Sequence, residues 1–303
     1  MAISRSQLVK ELEPGLNALF GLEYKRYENQ HAEIYSEESS DRAFEEEVML
    51  SGFANAQVKG EGSGVSFDEA QETFTARYTH ETVALAFAIT EEAIEDNLYD
   101  RLASRYTKAL ARSMSNAKQV KSVEPLINGL PTTDAFDSGD GVSLFNTAHP
   151  TVAGTFANTL ATQADLNETS LEQSLIDIAA MTDERGLRIA ARGVKMIIPS
   201  ELQFTAERLM KSQGRVGTAD NDINAIVSMG MVPQGYRVNN YLTDSDAFYI
   251  LTDIPNGMKM FNRAPLTTAM EGDFDTGNVR YKARERYSFG VSDPRGIFGV
   301  EGA

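Results

Sequence analysis

The sequence predicts an α+β fold, and three stretches predict it. Residues 90–117 read as one long helix, residues 165–263 alternate short helices with short strands, and residues 279–289 alternate apolar with basic side chains. The first two follow the helical period of 3.6 and its interruption, and the third follows the period of two that belongs to a strand.

Taken in order, the first 45 residues read as an arm. Ser6 to Glu13 suits a short helix stopped at Pro14-Gly15, and Leu16, Leu19, Phe20 and Leu22 make a small apolar cluster. The polar runs that follow carry too few apolar residues to fold alone, so the arm gains order only by lying on something else. Residues 46–89 read as extended structure, with Val65 and Phe67, then Phe74, Ala76 and Tyr78, then Val83, Leu85, Phe87 and Ile89 alternating with small or polar neighbours. Gly60, Gly62 and Gly64 between them suit turns. An isolated two-stranded ribbon is marginal in water, which points to packing on a neighbouring subunit.

The long helix comes next. Thr90 suits its N-cap, Glu91 and Glu92 suit its positive end, and Ile94, Leu98, Leu102, Tyr106, Ala109 and Met114 share one face. Arg101, Arg105, Lys108 and Arg112 form a second row. At 1.5 Å per residue it would span about 42 Å, more than twice the usual length of about 11–12 residues. Such a helix acts as a beam for other elements.

Residues 131–141 are rich in turn formers. From Asp165 the pattern suits a compact α/β block: a helix carrying Leu171, Leu175, Ile178 and Met181, a strand over Val194–Ile198, and a helix opened by a Ser200/Gln203 capping box. Strands are expected at 225–232, 236–238 and 248–251. In the tail, Val279, Tyr281, Ala283, Tyr287 and Phe289 alternate with Arg280, Lys282, Arg284 and Arg286, giving a strand with one apolar and one basic face.

Composition narrows the function. The 303 residues are 42% hydrophobic and 24% charged, ordinary for a globular chain. There is no cysteine, hence no disulfide or thiolate metal site, and a reducing compartment is the natural home. The N-terminus lacks the apolar core of a signal peptide, and no run reaches the length of about 18 apolar residues that spans a membrane. The net charge of −16 opposes sequence-independent binding to phosphate backbones.

No catalytic constellation emerges. His31, His80 and His149 stand in different elements with no paired ligand spacing, and His149 reads as a local hydrogen-bonding residue. The glycines at 60, 62 and 64 lack the Lys-Ser/Thr of a phosphate loop. Asp134, Asp137 and Asp140 miss the calcium-loop spacing and read as solvated loop acids. There is no GxSxG elbow. The chain reads as a non-enzyme with no cofactor and no metal. The helix row from Arg101 to Arg112 suits a solvated face or contact with acidic partner segments, with nucleic acid a third option. Arg280, Lys282, Arg284 and Arg286 would repel one another unless acids on an adjacent strand or subunit oppose them. Glu45, Glu46, Glu47 and the acidic ribbon tip are the candidates.

The order of arm, hairpin, spine helix, α/β block and return strand resembles the tailed-phage major capsid protein with the Hong Kong 97-type fold. AFAITEEAIEDN, DGVSLFNTAHP, VKMIIPSELQFTAERLMKS, VNNYLTDSDAFYILTD and YKARERYSFGVSDPRGIFG also resemble the major head subunits of Mu-like phages. The resemblance implies an N-arm over residues 1–45, an extended E-loop over 46–82, a P domain over 83–165 and 264–303, and an axial A domain over 166–263. It implies self-assembly as hexamers and pentamers into an icosahedral shell around double-stranded DNA, held without sequence-specific binding. It also implies a separate scaffolding protein and a portal, leaves room for a decoration protein, and places the chain in the virion capsid after assembly in the host cytoplasm, with no membrane. Some relatives weld an E-loop lysine to a P-domain asparagine. Lys59 lies in the ribbon, but no asparagine matches, so no cross-link is expected. A cellular encapsulin-like compartment, an α/β enzyme centred on 165–263 and a monomeric binding module are the rival readings.

Overall fold

The computed structural model describes residues 5–90, 92, 99–133, 135–214, 222–273 and 277–303, with side chains from Pro14 in the first helix and from Ala103 in the long one. In chain order the elements are α1 (Arg5–Tyr24), β1 (Ser36–Ser39), β2 (Phe44–Leu50), β3 (Glu72–Thr79), β4 (Glu81–Ile89), α2 (Tyr99–Asn128), β5 (His149–Thr151) and β6 (Gly154–Phe156). There follow α3 (Glu168–Ala180), β7 (Gly193–Ile198), α4 (Gln203–Lys211), α5 (Ala225–Ser228), β8 (Tyr236–Val238), β9 (Phe248–Thr252), β10 (Met258–Gly272), β11 (Val279–Val291) and β12 (Ile297–Val300).

The apolar and basic alternation of the tail builds the first sheet, in the order β1-β10-β11-β4. β11 runs antiparallel to both neighbours, and β1 lies parallel to β10. Tyr281, Ala283 and Ile89 point from one face into a core shared with Ala103, Leu110, Ala111 and Met114 of α2 and with Leu16 and Phe20 of α1. The second sheet, β12-β9-β7-β8, is covered by α3, α4 and α5, whose Leu171, Ile178, Ala206, Leu209 and Ile226 meet Met196, Ile198, Phe248, Ile250 and Phe298. Val123 and Leu126 at the end of α2, and Leu130 just beyond it, pack with Tyr249, Met260 and Ile297, so one apolar cluster joins the two sheets.

Several expectations need correction. The long helix does not end at Ala117 but runs on to Asn128 with Pro125 inside it. Burial of Val123 and Leu126, each of order 1.5–3 kcal/mol, offsets the roughly 3 kcal/mol that an interior proline costs. Of its expected start, Glu91 and residues 93–98 lie outside the described residues, as does the Leu102 side chain. Of the rest of its expected apolar face, Met114 is buried but Tyr106 and Ala109 are exposed, because the helix turns Ala103, Leu110 and Ala111 to the sheet instead. α1 likewise passes through Pro14 and Gly15 because Leu16 and Phe20 beyond them are buried, while Leu22, expected in that cluster, faces outward. The expected strand over 225–232 is instead opened by the short helix α5. The Asn224 side chain accepts hydrogen bonds from the Ile226 and Val227 amides, and this cap overrides the β-propensity of the pair. Ser200 and Gln203 form no capping box, since the Ser200 hydroxyl bonds Glu201. The capping box of the block is Asn167 with Ser170, opening α3.

β10 runs from Met258 to Gly272, and β12 pairs with β9 in the second sheet. The chain crosses between sheets at residues 292–296, where Gly296 lies so close to Gly257 that a Cβ on it would sit 2.3 Å from the Gly257 Cα. Only glycine fits there.

Candidate assembly interface

Among the described residues, the ribbon, the outer face of the first sheet and the outer face of α2 present exposed apolar or charged side chains. Along the ribbon, β2 pairs antiparallel with β3 from Phe44↔Thr79 to Leu50↔Glu72. Phe44, Val48 and Leu50 are exposed on its outer side. Beyond it, residues 51–71 form no strand, and Phe67, expected in one, is 97% exposed. A strand at 65–67 has no neighbour to pair with inside the chain. The loop is closed at its base by the Ser51 amide on the Gln71 carbonyl at 2.9 Å and the Ala54 amide on Asp68 at 2.7 Å. Arg185 moors its return to the Glu69 carbonyl. Glu61 and Lys59 lie toward its tip, and Asp68 and Glu69 lie on its return, all exposed, with Asp68 3.8 Å from Arg185.

On β11 the alternation falls as the sequence predicts, with Arg280, Lys282 and Arg284 exposed and Arg286 half-buried. Across the strand they face Ala88, Ala86, Ala84 and Thr82 of β4, and Glu271, Ala269, Thr267 and Ala264 of β10. Apart from Glu271 opposite Arg280, the cations thus rise from a floor of small side chains. Arg280 pairs with Asp273, and Arg286 donates to the Ala43 carbonyl at 3.5 Å. The expected opposition by Glu45, Glu46 and Glu47 does not occur, because these acids are taken by Ser40, Arg77 and Lys259. β4 is the outer strand of this sheet, and among the described residues its far edge pairs with nothing. An open edge of this kind is a template for another chain.

On α2, Arg105, Lys108 and Arg112 are exposed on the side away from the sheet; the Arg101 side chain lies outside the described ones. Arg112 Nε donates to Tyr27 Oη at 2.8 Å, with its guanidinium 5.8 Å from the ring centroid, so the arm covers that end of the row. The two basic rows therefore lie on opposite faces of one helix–sheet layer. Lys59 belongs to neither.

Buried charges escaped the sequence reading. Glu285 stands in phase with Tyr281, Ala283 and Tyr287 on the apolar face of β11, only 2% exposed, with Lys118 Nζ at 3.5 Å and the Tyr24 hydroxyl donating at 3.4 Å. Burial pushes its carboxyl up against the downward pull of Lys118. Lys259 on β10 is 7% exposed and reaches Glu47 at 2.6 Å and Glu38 at 3.1 Å. Arg295 lies over the Phe156 ring and pairs with Glu184 at 2.6 Å. For Glu285 the signal in the sequence is a charge placed in phase with an apolar row; Lys259 lies in a strand segment buried on both sides and Arg295 in the turn Pro294–Gly296, where no such period marks them.

His149 is a local hydrogen-bonding residue, with Nδ1 2.6 Å from Asp140 and Nε2 2.9 Å from Asn158 Oδ1. Asp140 is consequently a buried partner and not a solvated loop acid. Burial raises its carboxyl, and the contact with His149, the Ser138 hydroxyl and the Val142 amide together bring it below the usual carboxylate range. Asp137 accepts from the Gly139 and Gly141 amides, and Asp134 lies outside the described residues. Over the second sheet, the clefts beside 229–238 are lined mainly by apolar side chains and backbone.

Comparison with known proteins bears on these surfaces. No curated protein matches the chain. The chain shares its fold with a virus-like particle from Pyrococcus furiosus, at TM-score 0.51 and 11% identity over 94% of this chain and 98% of that one. It is similar to the capsid of Myoviridae Phage XM1, at TM-score 0.51 and 13% identity over 89% of each chain. It is also similar to a chain of Mycobacterium phage Patience, at TM-score 0.55 and 10% identity over 99% of this chain and 89% of that one. The α+β architecture is that of Hong Kong 97-type capsids. A family model described as phage capsid protein matches residues 72–300, which takes in the return of the ribbon, the long helix and every strand of both sheets except β1. The chain belongs to the phage capsid protein family, as a major capsid protein.

Proposed function

We propose that this subunit closes into an icosahedral shell of hexamers and pentamers by laying its ribbon on the helix–sheet layer of the next copy. The observation that carries the reading is a pair of complementary surfaces on one chain. Residues 51–71 carry exposed apolar side chains and a surplus of acids with no strand partner, and β11 raises cations beside an open strand edge. In this reading residues 1–45 are the N-arm, 46–82 the E-loop, 83–165 with 264–303 the P domain, and 166–263 the A domain around the capsomer axes. The stretches DGVSLFNTAHP and VKMIIPSELQFTAERLMKS support a Mu-like head subunit within the family.

The shell encloses double-stranded DNA without reading its sequence. A net charge of −16 fits a container, since a strongly cationic wall would hold the genome and oppose its release. A separate scaffolding protein and a portal would be its partners during assembly in the host cytoplasm. Deletion of residues 55–72 tests the reading. The variant is expected to keep a folded subunit by circular dichroism and to lose closed shells in negative-stain electron microscopy. Unchanged shell yield would contradict it.

A further inference from the structure

The ribbon joins the subunit through a small buried cluster that the assembly reading does not use. β3 ends at Thr79, His80 follows, and β4 begins at Glu81. The His80 ring is buried, with Nδ1 2.9 Å from the Ser288 hydroxyl on β11 and Nε2 3.0 Å from the Ser40 hydroxyl just after β1. Ser40 donates to Glu45 of β2 at 2.7 Å and accepts from the Arg42 amide at 3.2 Å. With its proton committed to Glu45, Ser40 must accept from His80, so Nε2 carries the ring proton and Nδ1 accepts from Ser288. One neutral imidazole thus ties the arm, the ribbon and the return strand.

Lys259 stands beside it and bridges Glu47 of the ribbon to Glu38 of the arm. Tyr78 completes the joint. Its hydroxyl lies 2.5 Å from that of Ser292, and its ring centroid lies 4.8 Å from that of Phe261. The ring also lies so close to Gly290 that a Cβ there would come within 2.6 Å. These bonds are mostly polar, in contrast to the apolar cores of the two sheets.

We propose that this joint is a releasable clasp: it fixes the direction of the ribbon at neutral pH, and a proton on His80 frees the ribbon while both sheets stay folded. A proton on Nδ1 removes the acceptor that Ser288 uses. The new charge faces Arg286 on β11 and Arg263 on β10, with Glu45 on β2 as the nearest opposing acid and Lys259, Glu38 and Glu47 in the adjoining cluster. Burial, then Arg286 and Arg263, hold the imidazole below its usual range against Glu45. Folding with the clasp shut therefore binds the proton less readily than the open form does. Its contribution is full above the ordinary imidazole value of about 6.5 and is lost as pH falls through the lower folded value.

The chain has no cysteine, so spin labels can be placed at will on the full-length, unassembled subunit. Gln57→Cys in the loop and Asn116→Cys on α2 report the ribbon direction by double electron–electron resonance. A single narrow distance is expected at about pH 7.5 and a distribution at least about twice as broad at about pH 5.5, reversible on neutralisation. His80→Gln should stay narrow at both, Lys259→Met should be broad at both, and Arg286→Gln should move the midpoint to higher pH. An unchanged distribution on acidification, an acid response kept in His80→Gln, or a midpoint unmoved by Arg286→Gln would overturn the proposal. None of these outcomes depends on whether shells form.

Discussion

The second sheet and the ribbon use the same kinds of residue in opposite ways. Phe248, Ile250, Phe298 and Val300 of the sheet are buried against Leu171 and Ile178 of α3. Phe44, Val48 and Leu50 of the ribbon, and Phe53, Val58 and Phe67 beyond it, face water. Each large apolar side chain left exposed forgoes about 1.5–3 kcal/mol of burial. The sheet closes its account within the chain, and the ribbon does not. The difference teaches where folding ends and assembly begins: a contact satisfied inside the subunit stabilises the fold, and a surface left open is held for another copy.

That division can be broken first at its strong side. Phe298→Ala should lower subunit stability by about 3–5 kcal/mol in urea unfolding, the usual cost of emptying a filled aromatic site. A loss below about 1 kcal/mol would mean that the second sheet is not the folding core.

The first layer holds the next largest effect. Lys118→Met strands Glu285 beneath α2 and should cost about 3–5 kcal/mol at neutral pH. The Glu285 carboxyl, raised by burial, binds its proton more readily folded than unfolded. Its contribution is full below the ordinary carboxylate value of about 4.3 and fades as pH rises through the folded value. Glu285→Gln should therefore flatten the fall of the urea midpoint between about pH 4 and pH 7; an unchanged slope would show that the carboxylate is paired at no cost. At the weak end, Phe67→Ala should change subunit stability by less than about 0.5 kcal/mol yet reduce shell yield in sedimentation velocity. A large stability loss there would place the loop inside the folded unit.

Regular periods were legible. The alternation of β11 and the apolar row of α3 needed only the residues themselves, because each element buries one continuous face. On α2 the face was read out of phase: Met114 is buried as expected, but Tyr106 and Ala109 are exposed, and Ala103, Leu110 and Ala111 take their place. Ends and junctions were not legible. Pro14 read as a break and Ala117 as an end, and only the burial of Leu16, Phe20, Val123 and Leu126 shows why the helices continue. Ile226 and Val227 read as strand because the cap from Asn224 acts through backbone amides that composition does not reveal. The basic row of β11 was visible, but its surroundings were not. Which acids oppose it depends on strands brought together from distant parts of the chain, and Lys259 removes Glu47 from the candidates. The exposed face of α2 followed from its period, while the contact of Arg112 with Tyr27 depends on where the arm lies.

The central claim is that the acidic loop of one copy meets the basic row of another, and a charge exchange within one chain tests it most directly. Lys282→Glu with Arg284→Glu should leave folding unchanged within about 0.5 kcal/mol and lower shell yield about tenfold, as should Glu61→Lys with Glu69→Lys. All four substitutions together restore opposite charges across the contact. Electron microscopy and sedimentation of the fourfold variant should then show shells returning toward the native yield. Shells formed normally by either pair alone, or no recovery in the combined variant, would contradict the account.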